Sequence, residues 1–230
     1  MKRSVKQIDV YLEAGEKKVF ACAVDWPGWS RAGRDEALAL QALFDYAPRY
    51  AGVLRAAGMP FTSPASVDAL NVIERVQGNA GTEFGVPAIA PLCDAKPVTT
   101  KDLPHLQALL KAYWQAFDEA VQRAEGKPLR TGPRGGGRDL HKMTEHVLGS
   151  EAGYLSLLAW KPPKLEGVDA VAQRAVIRPA VLDALESAVR NGLPAHGPRG
   201  GKIWPARYFV RRVGWHVLDH AWEVEDRLIN

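Results

Sequence analysis

His216 and His220 stand four residues apart in a segment, 205–229, whose apolar residues recur with helical spacing. On a helix that spacing stacks the two imidazoles on a single face. The stripe Phe209, Val213, His216, His220, Glu223, Arg227 advances by fours and threes, so both rings take positions that an amphipathic helix reserves for its core. A helix supplies two transition-metal ligands in this way, and an open coordination sphere needs at least a third from elsewhere. His146 meets that need, because Met143, His146, Ser150, Gly153, Leu157 and Trp160 form the same kind of stripe on an earlier segment. Ser150 and Gly153 are small where a tight core would be large, which leaves volume beside His146 for a metal and a substrate. Three histidines leave coordination positions open, as a catalytic site requires and a structural zinc site does not. Asp219 and Glu223, one turn from His216 and His220, are placed to accept an imidazole N–H, or else to pair on the surface with Arg212 and Arg227. Histidine nitrogen suits zinc, nickel, iron or manganese, so the identity of the ion stays open. The competing reading of the three is buried histidines satisfied by hydrogen bonds. His141 sits off the stripe, and His105 and His196 have no ligand-like partner in sequence.

The elements that must position these residues fall into two halves. Residues 5–12 read as a strand, 14–17 as a turn and 19–24 as a second strand, giving a hairpin. An apolar-periodic run from Ala37 to Ala57 reads as a helix with Pro48 as a kink or break, 70–76 as a strand, and 83–90 as a further extended element. The expected unit is strand-strand-helix-strand-strand over residues 1–93, with 94–101 as a polar, proline-containing linker. Residues 102–230 then change character, with four helical stretches: from Asp102, a capping residue, to Gly126; from Asp139 to Trp160; from 168 to 189, with Pro179 predicting a kink; and the histidine-bearing segment. Four helices in that length suggest a bundle, so the fold class is α+β. Gly-Pro-Arg-Gly-Gly occurs at 132–136 and again at 197–201, each time before a histidine-bearing helix, which suggests two related helical hairpins.

Composition narrows the setting. The chain of 230 residues is 47% hydrophobic and 24% charged, values of an ordinary globular protein. Its formal net charge of +4 is mild and dispersed, and no basic-aromatic motif supports nucleic-acid binding. Cys22 and Cys93 form no C-x-x-C, which fits a reducing compartment. With no signal-peptide pattern and no run approaching a membrane span, the expectation is a cytoplasmic protein without a membrane partner.

Two stretches resemble known families. His146-Val147-Leu148-Gly149-Ser150-Glu151 with Trp215-His216-Val217-Leu218-Asp219-His220-Ala221-Trp222-Glu223 resembles the DinB-like (DNA-damage-inducible) superfamily over 102–230. That resemblance implies a four-helix bundle with one metal histidine on its second helix and an H-x-x-x-H pair on its last, here His146, His216 and His220. It further implies a metal-dependent thiol S-transferase, in which a metal lowers the pKa of a low-molecular-weight thiol such as mycothiol, bacillithiol or glutathione for attack on a small electrophile near Ser150 and Gly153. Arg134 and Arg199, in the repeated glycine-rich loops, are then placed to hold a carboxylate or phosphate of either substrate, unless the loops are simple connections. Tyr208, Arg211 and Arg212 lie near the same helix start, with structural roles equally open. Metal-assisted hydrolysis on the same histidines is the second reading.

Asp25-Trp26-Pro27-Gly28-Trp29-Ser30-Arg31-Ala32-Gly33-Arg34-Asp35-Glu36-Ala37 resembles the HicB antitoxin-like fold over the first ninety or so residues. It implies a small α+β sheet domain, and a third reading in which the chain is a regulatory or partner-binding protein. The aromatics of 25–29 would then be exposed and a fourth protein ligand would close the histidine site, or no metal would be held. Pairing of two chains fits any of the three.

Overall fold

The computed structural model describes residues 7–132, 137–165, 167, 169–197 and 200–229. It is a mixed α+β structure in which a four-stranded sheet precedes a mostly helical region. The strands β1 (Ile8–Ala14), β2 (Val19–Ala23), β3 (Ser30–Gly33) and β4 (Leu70–Gln77) lie in the order β3-β2-β1-β4. β1 and β2 form the expected antiparallel hairpin, with Val10 opposite Ala23 and Ala14 opposite Val19. β4 returns parallel to β1. The expected start of the first strand, at residue 5, lies outside the described residues.

Two assignments change. Residues 30–33, given no element in the sequence reading, are a strand antiparallel to β2. Trp29 is the cause: it is fully buried, stacks on Tyr50 with ring centroids 5.2 Å apart, and its carbonyl accepts from the Ala23 amide. The aromatics expected to be exposed thus turn inward, Trp26 included, whose ring meets those of Phe61 and Tyr50 edge-on. Residues 83–90, read as extended and paired, are instead the end of a short helix α3 (Ala80–Phe84) and a loop outside the sheet. Glu13 explains the loop. Its buried carboxylate accepts from the amides of Ala88 at 2.8 Å and Ile89 at 3.0 Å, so a side chain takes donors that a strand would offer to a neighbour.

The first helical run is split in two, α1 (Glu36–Asp45) and α2 (Ala47–Ala56), at the residue before Ala47-Pro48, as a proline that fits only the first turn of a helix requires. The four long helices follow: α4 (Leu103–Ala124), α5 (Leu140–Leu155), α6 (Ala170–Asn191) and α7 (Ala206–Arg227), and each contacts the other three. Asp139 and Asp169 cap α5 and α6 through their side chains, accepting from Lys142 and Ala172. Asp102 does not cap α4, because its carboxylate is taken by the Thr99 amide and by Arg207 at 2.7 Å. α5 stops at Leu155, short of Trp160, where a tight turn leads to Ala159 in the left-handed conformation. Pro179 sits inside α6, which runs on through it.

One cluster of buried apolar side chains runs from Val10 and Leu12 of the sheet through Leu54 to Phe117, Val147 and Val217. On the sheet's other face Tyr11, Phe20 and Cys22 pack on Trp215. Sheet and helices therefore share α7. Residues 94–101, expected as a linker, are tied to it: Asp94 is buried and grips Arg211 through both oxygens, at 2.7 and 2.8 Å, and Arg207 donates to the carbonyls of Lys96 and Pro97. No helix among the described residues is long and apolar enough to cross a membrane.

A third buried acid lies among the long helices. Glu151 is fully buried, accepts from the Trp114 indole N–H, and leaves its other oxygen without a partner. Burial pushes its carboxyl up to about 7, with Arg178 opposing. Between the ordinary glutamate value and about 7 the folded chain keeps a proton that the unfolded chain has lost, so stability falls as pH rises through that window. Glu151→Gln removes this dependence. Its stability relative to the parent chain, read from urea unfolding, should gain roughly 3 kcal/mol between about pH 5 and about pH 8. A difference that does not change with pH would contradict the account.

Candidate metal centre

His146 comes from the middle of α5, His216 from the middle of α7 and His220 from one turn further on. Met143, Val147 and Leu148 bury the neighbouring faces of α5, which leaves His146 turned toward α7. The three rings form a triangle with centroids 5.0, 5.0 and 4.7 Å apart, and one nitrogen from each lies within 4.8 Å of the others. Nε2 of His146 and Nε2 of His216 are 3.1 Å apart. Metal–nitrogen bonds of about 2.0–2.1 Å hold ligand nitrogens roughly 3.0–3.4 Å from one another, so this pair already has the separation of two ligands on one ion.

Electrostatics favour the neutral, ligating form. Burial, then His220 and Arg138, hold His146 down to about 4. Burial, then His220 and His146, hold His216 well below the usual histidine range. Glu223 accepts from Nδ1 of His220 at 2.9 Å and pairs through its other oxygen with Arg227 at 2.8 Å. That hydrogen bond places the His220 proton on Nδ1 and frees Nε2 as a lone pair. Nδ1 of His216 is buried with no partner. Three imidazoles with one nitrogen pair 3.1 Å apart and one nitrogen of each within 4.8 Å of the others fit a divalent transition-metal ion.

The cluster opens into a cleft of about 600 Å³ whose wall includes Arg31, Ser150, Tyr154, Arg212 and Trp215. Ser150 stands where its small size implied, beside the cluster, but Gly153 is exposed and outside the cleft, a turn further round α5. Tyr208 is buried beneath Trp204, with Arg212 between it and His216 along the helix, and it does not line the cleft. Asp219 does not orient His216. Arg31 reaches across from β3 and takes its carboxylate at 2.8 Å. Glu223 serves both expected partners at once, His220 and Arg227. Arg134 and Arg199 lie outside the described residues. His141 is exposed beside Glu145, His196 is exposed, and the His105 ring packs against Trp26, all away from the cluster.

Several cleft residues carry no local signal in the sequence. Arg31 enters by strand pairing at β3, and Gly85 and Val86 by the Glu13-anchored loop. Tyr154 does carry one, since it lies two turns from His146 on the same helix, where its ring reaches His216.

Because Glu223 fixes an imidazole proton and Asp219 does not, the two acids should separate in a zinc titration followed by calorimetry. Glu223→Gln should weaken zinc binding by about 10–100-fold, and Asp219→Asn should leave it within about threefold. Equal losses in both variants would contradict the assigned hydrogen bonds.

Compared with protein-family models, with curated proteins and with solved structures, the chain gives no match in any of the three. The DinB-like and HicB-like resemblances rest on the residues quoted for them.

Proposed function

We propose that the chain holds one divalent transition-metal ion on His146, His216 and His220 and is a DinB-like, metal-dependent thiol S-transferase acting on small electrophiles. The observation that carries this is the convergence of three imidazoles from two helices at the wall of a cleft. A bound ion would supply Lewis acidity, lowering the pKa of a thiol that reaches it. The chain's own residues do the rest. Glu223 keeps the His220 ring in one tautomer, while Tyr154 and Trp215 wall the cleft with aromatic surface that limits water. In the transfer the thiol sulfur bonds to an electrophilic carbon, its proton passes to solvent, and the leaving group departs with the electron pair. A cleft of about 600 Å³ is the size that small-molecule sites occupy.

Hydrolysis on the same histidines is assisted by a group that takes a proton from water, and the carboxylates of the cleft are engaged. Asp219 is held by Arg31, Glu223 by His220 and Arg227, and Asp226 by Arg49. A thiol starts nearer ionisation than water, at about 8.5 against about 15.7, so the same ion ionises it more completely without a base. A purely regulatory role calls for a site closed by a fourth protein ligand or one that holds no metal; among the described residues three candidate ligands converge.

Full-length protein loaded with Co(II) and titrated with glutathione, cysteine and coenzyme A should gain near-ultraviolet thiolate charge-transfer absorption with at least one of them. That thiol should then be consumed when chlorodinitrobenzene is added. A Co(II) spectrum that no thiol perturbs, in protein that hydrolyses an activated ester, would replace the transferase reading with the hydrolase.

A further inference from the structure

Arg211 and Arg212 are neighbours on α7, both buried, at 2% and 7% exposure, and their surroundings differ sharply. The Arg211 guanidinium uses four of its five N–H donors: Asp94 takes Nε and Nη2, and the carbonyls of Ala23 and Val24 accept from Nη1 and Nη2 at 2.6 and 3.1 Å. Nη1 of Arg212 has no partner, and its Nη2 has only the Tyr154 hydroxyl, at 3.4 Å. No carboxylate among the described residues forms an ion pair with it. Glu13 faces Arg212 from the sheet, but burial raises its carboxyl and it already accepts from Thr82, Ala88 and Ile89. A buried, uncompensated guanidinium destabilises a fold by several kcal/mol, and folds that retain one generally give it a counter-charge.

Arg212 lines the cleft, where Arg31 is matched by Asp219 and Arg227 by Glu223, while Arg138, the remaining arginine of the wall, is exposed to solvent. Trp215, whose ring lies 5.0 Å from the Arg212 guanidinium, lines the cleft too, and its buried indole N–H has no acceptor. This wall carries unused donors and a positive charge with nothing to receive them. Its chemical complement is a group that only accepts and is negative. The planar guanidinium fork suits two oxygens of one carboxylate or phosphate.

We infer that Arg212, assisted by the Trp215 indole, is an oxyanion-binding residue, and that the ligand of this cleft is a small molecule carrying a carboxylate or phosphate. Arg212 precedes His216 by four residues, so the anionic group sits about 6 Å along α7 from the histidines, one helical turn from the reacting end. The position of that reacting end rests on the metal reading; the anion site does not.

The test uses full-length protein, zinc-loaded and separately chelator-treated, titrated with methyl phosphate and with acetate by calorimetry. Saturable binding of one or both is expected in both forms, weaker without zinc, and the two anions distinguish a phosphate from a carboxylate site. Arg212→Met should weaken it at least tenfold while zinc stoichiometry stays unchanged. Should that variant not fold, the side-chain Nε–H signal of Arg212 in the native chain, assigned through Arg212→Lys, must shift on saturation with the anion. Equal affinity in Arg212→Met, an unmoved Arg212 signal, or no saturable binding in the native chain overturns the inference. Arg212-dependent anion binding in a chain that takes up no zinc would overturn the metal reading and leave this one standing.

Discussion

The structure depends on burying α7 on every side. From Tyr208 to Leu218 each residue is buried, with the sheet against one part of the helix and the long helices against the rest. Such a helix normally has an apolar sequence all round, yet this one carries two arginines and a histidine within that stretch. Each needs a partner, because a buried polar group without one is strongly unfavourable. Arg211 finds Asp94 and two strand carbonyls, and so locks the segment after the sheet onto the helix. His216 finds His146 on one nitrogen and nothing on the other, and Arg212 finds almost nothing. The unmet demand lies along one cleft.

How deeply α7 sits is set by a close approach of backbone. A Cβ on Gly214 would come within 2.7 Å of the Tyr113 ring, and one on Gly28 within 2.8 Å of the same ring and 3.1 Å of the Gly214 backbone. Gly28 also has φ of 107°, a conformation that costs glycine little. Tyr113 in turn donates to the Pro27 carbonyl at 2.7 Å and its hydroxyl meets that of Tyr50 at 2.7 Å. The turn between β2 and β3, α4 and α7 thus meet at one point, half a turn of helix from His216. That contact brings the α7 histidines level with His146 on α5.

The parts legible in the sequence were those governed by local period. The i, i+4 histidine pair, the His146 stripe and the long helices follow from spacing alone, and the three rings do meet, with one pair of nitrogens 3.1 Å apart and all three within 4.8 Å. The stripe on α7 was drawn too narrow, because burial by a sheet on the far side leaves no local mark beyond a few apolar residues. Contacts made at long range were not legible. Arg31 capturing Asp219 spans 188 positions, and Glu13 organising residues 85–90 joins the first strand to a loop more than seventy positions away. The aromatics of 25–29 looked exposed because a Trp-Pro-Gly-Trp turn is ordinarily at the surface, whereas stacking on Tyr50 draws Trp29 wholly inside.

The account stands or falls on whether the histidine triangle holds an ion. Elemental mass spectrometry on full-length protein, purified without chelator and without a histidine tag, decides it when run beside His216→Ala. The account predicts about one transition-metal ion per chain in the parent and none above background in the variant, with folding intact by circular dichroism. A parent chain free of metal that takes up neither zinc, nickel nor manganese when these are added would contradict it.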